Sequence, residues 1–177
     1  MRTYHLKDVI YFSSKKAIPV TTGINEIGYI RKTNSDTLEK DSVFSYISAD
    51  EQDRFELGIK QNGWKRLVLA EYQLCTESIQ YDFKDKLGSN ILYFCVVGNM
   101  DGQDILIEEN WSGNLEVKVN KLRVAKIKIG TFSLKTTFQF EDTVEENSPL
   151  FALTILMYFM FKIYEAEAEW IEGLLDI

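Results

Sequence analysis

The sequence predicts a mainly β protein with one or two helices, a β-structure closed around a single hydrophobic helix. Three observations carry this. Over residues 132–140 the chain alternates, with Phe132, Leu134, Thr136, Phe138 and Phe140 on one face and Ser133, Lys135, Thr137 and Gln139 on the other. That period of two marks a half-buried strand. Residues 149–161 are then apolar without alternation, as in a helix surrounded by apolar contacts. Upstream, short strand-like runs recur between turn residues. The chain has 177 residues, 45% hydrophobic and 13% aromatic, which suits one domain over residues 1–177 with a large core.

A first strand is expected over residues 4–12, with a turn at 13–16. Two short strands, 18–21 and 26–31, flank Thr22-Gly23. Residues 33–41 are polar and read as a long loop, and 44–47 as strand. Residues 49–59 are ambiguous, because Asp50-Glu51-Gln52-Asp53 could also open a helix. Asn62-Gly63 is a strong hairpin signal, followed by a strand over 65–72.

Residues 78–83 alternate, with Ile79, Tyr81 and Phe83 sharing a face, and 84–90 read as a loop. The run 91–97 is apolar on both faces, so it is expected to be covered on both sides. Asp101-Gly102 turns the chain into a strand over 104–108, and Ser112-Gly113-Asn114 into one over 115–119. Residues 122–129 change phase near Ala125, which predicts a bulge or bend. Roughly ten strands joined by tight turns argue for an antiparallel barrel or a sandwich.

The helix is expected over about 148–164, with Ser148 as N-cap and Pro149 in the first turn. Four carboxylates precede it: Glu141, Asp142, Glu145 and Glu146. The fifteen uncharged residues 147–161 make about 22 Å of helix, short of the ~30 Å bilayer core. A buried core helix is therefore expected rather than a transmembrane span. An acidic helical tail at about 165–177 follows.

Three stretches resemble the tubby C-terminal-like superfamily, which includes the plant LURP-one-related proteins and the phospholipid scramblases. The likeness is nearest to small bacterial members. Ile18-Pro19-Val20 runs into Asn25-Glu26-Ile27-Gly28-Tyr29-Ile30, residues 115–119 lead into Arg123-Val124-Ala125-Lys126-Ile127, and residues 149–164 supply the terminal helix. The resemblance implies a closed antiparallel barrel threaded by the helix. Tubby itself binds phosphoinositides through basic side chains, but none of them aligns to a position here. The scramblases' Cys-rich acylation segment and Pro-rich N-terminal region have no counterpart. Function therefore does not follow from the fold.

The charge pattern offers two candidate surfaces. Lys118, Lys121, Arg123, Lys126, Lys128 and Lys135 fall within eighteen residues that contain no Asp or Glu, in a chain of net charge −7. A basic strand face of this kind suits an anionic lipid headgroup, a phosphate or an acidic partner. It equally suits solvated strand positions where Lys discourages edge pairing. The tail has the opposite sign: Glu165, Glu167, Glu169, Glu172 and Asp176 follow Lys162, the last cation. Carboxylates there oppose the helix dipole, so they suit a partner surface or simple solubility. Glu165, Glu169, Glu172 and Trp170 are the candidate contacts, while Ile163, Ala166, Trp170 and Leu174 could form an apolar stripe.

Other chemistry has little support in the residues. Asp101, Asp104, Glu108 and Glu109 lack the spacing of a calcium loop. His5 is the one histidine, and a dyad with Cys75 or Cys95 exists only on paper. The cysteines could form one bridge, but reduced buried thiols are expected. No catalytic residue, metal or cofactor is expected, and the acidity argues against nucleic acid. The expectation is a non-enzymatic cytoplasmic binding protein, peripheral at the inner membrane face if lipid is its ligand. The alternative is an inhibitor or immunity-type protein that uses its acidic tail on a protein partner.

Overall fold

A computed structural model describes residues 1–7, 16–61, 69–86, 93–130 and 135–175, the side chains of Lys7 and residues 171–175 excepted. Among the described residues twelve strands precede one helix. They are β1 (Arg2–Lys7), β2 (Ile18–Thr22), β3 (Asn25–Thr33), β4 (Val43–Ser48), β5 (Arg54–Ile59) and β6 (Glu71–Cys75). Then come β7 (Gln80–Asp85), β8 (Cys95–Met100), β9 (Gln103–Glu109), β10 (Leu115–Val119), β11 (Leu122–Lys128) and β12 (Lys135–Phe140). Helix α1 spans Pro149–Leu175. Each strand pairs antiparallel with its sequence neighbour, and β1 closes the sheet by pairing with β12, Arg2 opposite Phe140 and Tyr4 opposite Phe138. The result is a closed antiparallel barrel around the helix, which resolves the barrel-or-sandwich alternative.

The barrel closes on itself because the helix fills it. All of residues 151–161 are buried, none more than 8% exposed. A helix that is apolar all round must be surrounded all round, and a closed sheet does this. Aromatic pairs fix its depth. Phe151 stacks on Phe140 at 4.7 Å and meets Tyr4 edge-on at 5.1 Å, Phe159 stacks on Phe44 at 4.6 Å, and Phe161 meets Phe94 at 5.4 Å. Each such pair contributes about 0.5–1.5 kcal/mol beyond its buried area. The helix is long and apolar enough over Pro149–Trp170 to cross a membrane by length and composition, but 61% of its apolar 18-residue window lies buried.

The entry of the helix is built as its sequence signals suggest. The Ser148 hydroxyl accepts the Phe151 N–H at 3.2 Å, and Ala152 N–H bonds the Ser148 carbonyl at 3.0 Å. No carboxylate lies in the first turn. Instead the loop of residues 141–148 closes the barrel mouth through its own partners. Tyr4 donates to Glu146 at 2.7 Å, Tyr46 donates to Asn147 at 2.6 Å, and Arg2 donates to the Val144 carbonyl. Burial, then Glu146, pushes the Tyr4 hydroxyl up to about 12, so it stays a donor throughout the ordinary pH range.

Several boundaries differ from the sequence reading, each for a physical reason. The first strand begins at Arg2, before the expected 4–12, because pairing with β12 recruits it; residues 8–15, with most of the 13–16 turn, lie outside the described residues. Residues 49–51 form a turn rather than the start of a helix, since the Ser48 hydroxyl donates to Asp50 and accepts the Asp53 N–H. Within the expected strand 65–72, residues 69–70 are not strand and β6 runs on to Cys75, because its partners are β5 and β7. Asn62-Gly63 and residues 65–68 lie outside the described residues.

Asp85, within the stretch 84–90 expected as a loop, ends β7 and is buried, accepting the Ala70 N–H at 2.8 Å and the Tyr72 hydroxyl at 2.9 Å. Strand β8 begins at Cys95 rather than 91 and runs to Met100, and Phe94, Cys95 and Val96 are buried on both faces as expected. Ile79 stays 47% exposed, although Tyr81 and Phe83 do share the inner face. The phase change near Ala125 is a bulge: the register passes from Val117 opposite Ala125 to Lys118 opposite Arg123, skipping Val124. The core helix and acidic tail are one helix, and burial ends at Phe161 rather than near 164.

Two glycines let aromatic rings lie against the sheet. A Cβ on Gly28 would come 2.5 Å from the Ile47 carbonyl oxygen and 2.7 Å from the Tyr46 hydroxyl, and one on Gly98 would enter the Phe83 ring. Gly28→Ala is therefore expected to cost about 1–3 kcal/mol through overpacking, read as a lower urea midpoint; an unchanged midpoint would show that the Tyr46 contact is slack. Phe151→Ala, which empties the middle of the aromatic cluster, is expected to cost about 3–5 kcal/mol in the same assay.

Candidate anion-binding wall

Alternation along β11, β12 and β1 decides which side chains leave the barrel. Ala125, Ile127, Thr136, Phe138, Tyr4 and Leu6 point inward and are buried. Their neighbours Lys126, Lys128, Lys135, Thr137, Gln139 and His5 form the outer wall. The register sets Lys126 opposite Gln139, Lys128 opposite Thr137 and His5 opposite Thr137. Cations from one strand and neutral polar groups from the next thus share a surface.

The six predicted cations do not act together. Lys118 is half-buried and turned to the acidic side, 2.6 Å from Glu108 and 3.9 Å from Glu116; its hydrogen bond to Glu108 holds its ammonium above the usual lysine range. Arg123 leans on Glu116 at 3.7 Å. Lys121 sits exposed in the β10–β11 turn, where both Asn120 and Lys121 take a positive φ, 49° and 71°. Lys135 lies close enough to His5 to disfavour its protonation. Lys126 and Lys128 remain, and neither makes an ion pair among the described residues. With Arg123, Ala125, Gln139, Glu141 and Met1 they border a shallow depression of about 200 Å³.

Sequence reasoning missed His5, Thr137 and Gln139 as members of this wall. The outward phase of β12 was readable, but the pairing of β1 with β12 joins residues 128–138 apart and leaves no local trace.

No family model, curated protein or solved structure matches the chain. The barrel-and-helix architecture agrees with what the tubby-like resemblance implies, and the family itself rests on that resemblance alone.

The remaining candidates are dispersed. Asp101 accepts from Tyr81 at 2.9 Å, Asp104 from Asn99 at 3.4 Å, Glu108 from Lys118, and Glu109 from the Phe94 N–H at 3.3 Å. Among the described residues, no group of His, Cys, Asp and Glu could hold a metal ion. Cys75 and Cys95 are free thiols, Cys95 buried as expected and Cys75 only partly so, with burial the main cause pushing the Cys75 thiol up. Each stands five strands from His5 around the barrel, so neither cysteine–histidine dyad forms.

At the far end α1 leaves the barrel. Glu165 pairs with Lys162 at 2.6 Å, Glu169 is exposed, and Trp170 is 62% exposed. In the expected stripe, Ile163 is half-buried while Ala166 and Trp170 face solvent; the side chains of Glu172 and Leu174 lie outside the described residues, as does Asp176. The stripe is not covered because the barrel ends before it.

His5 gives the wall a pH signature. Burial, then the Lys135 ammonium, holds its imidazole below the usual value, so the folded protein binds this proton less readily than the unfolded chain. The stability linked to neutral His5 is present above about pH 6.5 and lost as pH falls toward the depressed value. An NMR titration is expected to place the His5 midpoint below 6.5, and Lys135→Gln to raise it. A midpoint unmoved by that substitution would separate the two side chains.

Proposed function

We propose that this chain is a non-enzymatic binding protein that recognises an anionic lipid headgroup through its β11–β12 wall. The supporting observation is the pair Lys126 and Lys128. They stand on one outer face beside the depression, without carboxylate partners among the described residues, in a protein whose net charge is −7. Two unneutralised ammoniums with the Gln139 amide at one edge supply the charge and donors that a phosphate oxygen takes up. On this reading the protein works in the cytoplasm and attaches peripherally to the inner membrane face.

Sedimentation with phosphatidylserine-containing vesicles tests the proposal. Each basic side chain near an anionic surface contributes about 1 kcal/mol, so Lys126→Glu with Lys128→Glu is expected to weaken binding by about 30-fold or more. Raising the salt should weaken the wild type in the same direction. Equal binding to neutral vesicles, or indifference to the double reversal, would sink the lipid reading.

A protein partner is the second reading, and the acidic helix end with its exposed Trp170 favours it. Inhibitor and immunity-type proteins act in this way.

A further inference from the structure

The last fourteen residues of α1 rise about 21 Å beyond Phe161, with Ile163 and Tyr164 still packed against the core. No described contact with the sheet covers Trp170, which is 62% exposed, and the one cation at the root of this segment, Lys162, pairs with Glu165. The helix end carries the negative pole of the dipole, and Glu165 and Glu169 repel each other one turn apart. Every one of these costs falls if the segment lies against a cationic surface.

The same protein offers such a surface. Helix α1 enters near Tyr4 and Tyr46 and leaves near Phe94, so Lys128 lies nearer the exit end of the wall and Arg123 nearer the entry end. Lys126 and Lys128, two residues apart on one strand, are about 6.6 Å apart along it. Glu165 and Glu169 are about 6 Å apart along the helix. A six-residue strand spans about 20 Å, long enough to carry the part of α1 beyond Tyr164. Two copies with their exit ends together and their axes antiparallel therefore lay each helix end along the other's wall.

We infer that the acidic end of α1 docks on the basic β11–β12 wall of a second copy, forming a reciprocal two-fold dimer that covers the anion-binding surface. Glu165 and Glu169 pair with Lys128 and Lys126 of the second copy. Trp170 lies over the depression, where those ammoniums meet its ring face. Because each copy gives and receives the same contact, the assembly closes at two. The inference rests on the anion-binding reading of the wall and adds its regulation: self-association and an anionic surface compete for the same lysines.

Light scattering on a size-exclusion column, with the full chain at low and high salt, tests it. The wild type is expected to be dimeric at low salt and to dissociate as salt rises. Trp170→Ala should be monomeric, with unchanged circular dichroism, and should bind anionic vesicles several-fold more tightly. Glu165→Lys with Glu169→Lys, and separately Lys126→Glu with Lys128→Glu, should each be monomeric. Mixing these two variants should restore a heterodimer, since both contacts then pair opposite charges. A monomeric wild type at low salt overturns the inference, as does a mixture that fails to associate. A monomer that still binds anionic vesicles overturns the docking alone and leaves the anion-binding reading standing. A dimer that never binds them supports the docking and overturns the lipid ligand.

Discussion

The structure depends on one constraint: a helix apolar on every side has to be enclosed on every side. Eleven consecutive residues, 151–161, have no face to give to water. A flat or two-layered sheet would leave part of that circumference wet, at about 25 cal/mol for each Å² exposed. A closed barrel covers it and also removes the sheet edges that could pair with other chains. The pairing of β1 with β12 is thus a consequence of the helix as much as of the strands.

The same constraint orders the ends of the barrel. At the entry, the 141–148 loop must seal the mouth without stranding polar groups. It does so with hydroxyls from Tyr4 and Tyr46 and with Arg2, all carried by strands and all aimed at the loop. At the exit, the barrel simply stops, and the helix continues as a charged, half-exposed rod. Phe94 and Tyr164, with ring centroids 5.4 Å apart, mark the last aromatic contact before that change. Enclosure at one end and exposure at the other give the molecule a direction, which its charges follow.

Charge follows the walls. Between β9, β10 and β11, Glu108, Glu116, Lys118 and Arg123 form a ladder in which opposite signs largely satisfy one another. On the next face, toward β12 and β1, Lys126 and Lys128 stand outward beside Thr137, Gln139 and His5 without an ion pair among the described residues, and Glu141 borders the same depression. Segregation of this sort contributes little to stability, because exposed pairs are worth only about 0–1 kcal/mol. It matters for recognition, where an unneutralised wall meets a ligand of opposite charge.

The sequence by itself determined the kinds of element and the helix that organises them. Alternation in residues 132–140, the apolar run after Ser148 and the phase slip at Ala125 are local signals, and each needs only its neighbours to be read. The tertiary structure decided what depends on distant residues. It placed β1 against β12, and it put buried Asp85, expected in a loop, at the end of β7 as partner to Tyr72. It also separated Lys118 and Arg123, which have carboxylate neighbours on adjacent strands, from Lys126 and Lys128. A run of like charges along a chain says how many cations there are. Only strand pairing decides which of them are neutralised, because their partners stand across the sheet and not along the sequence.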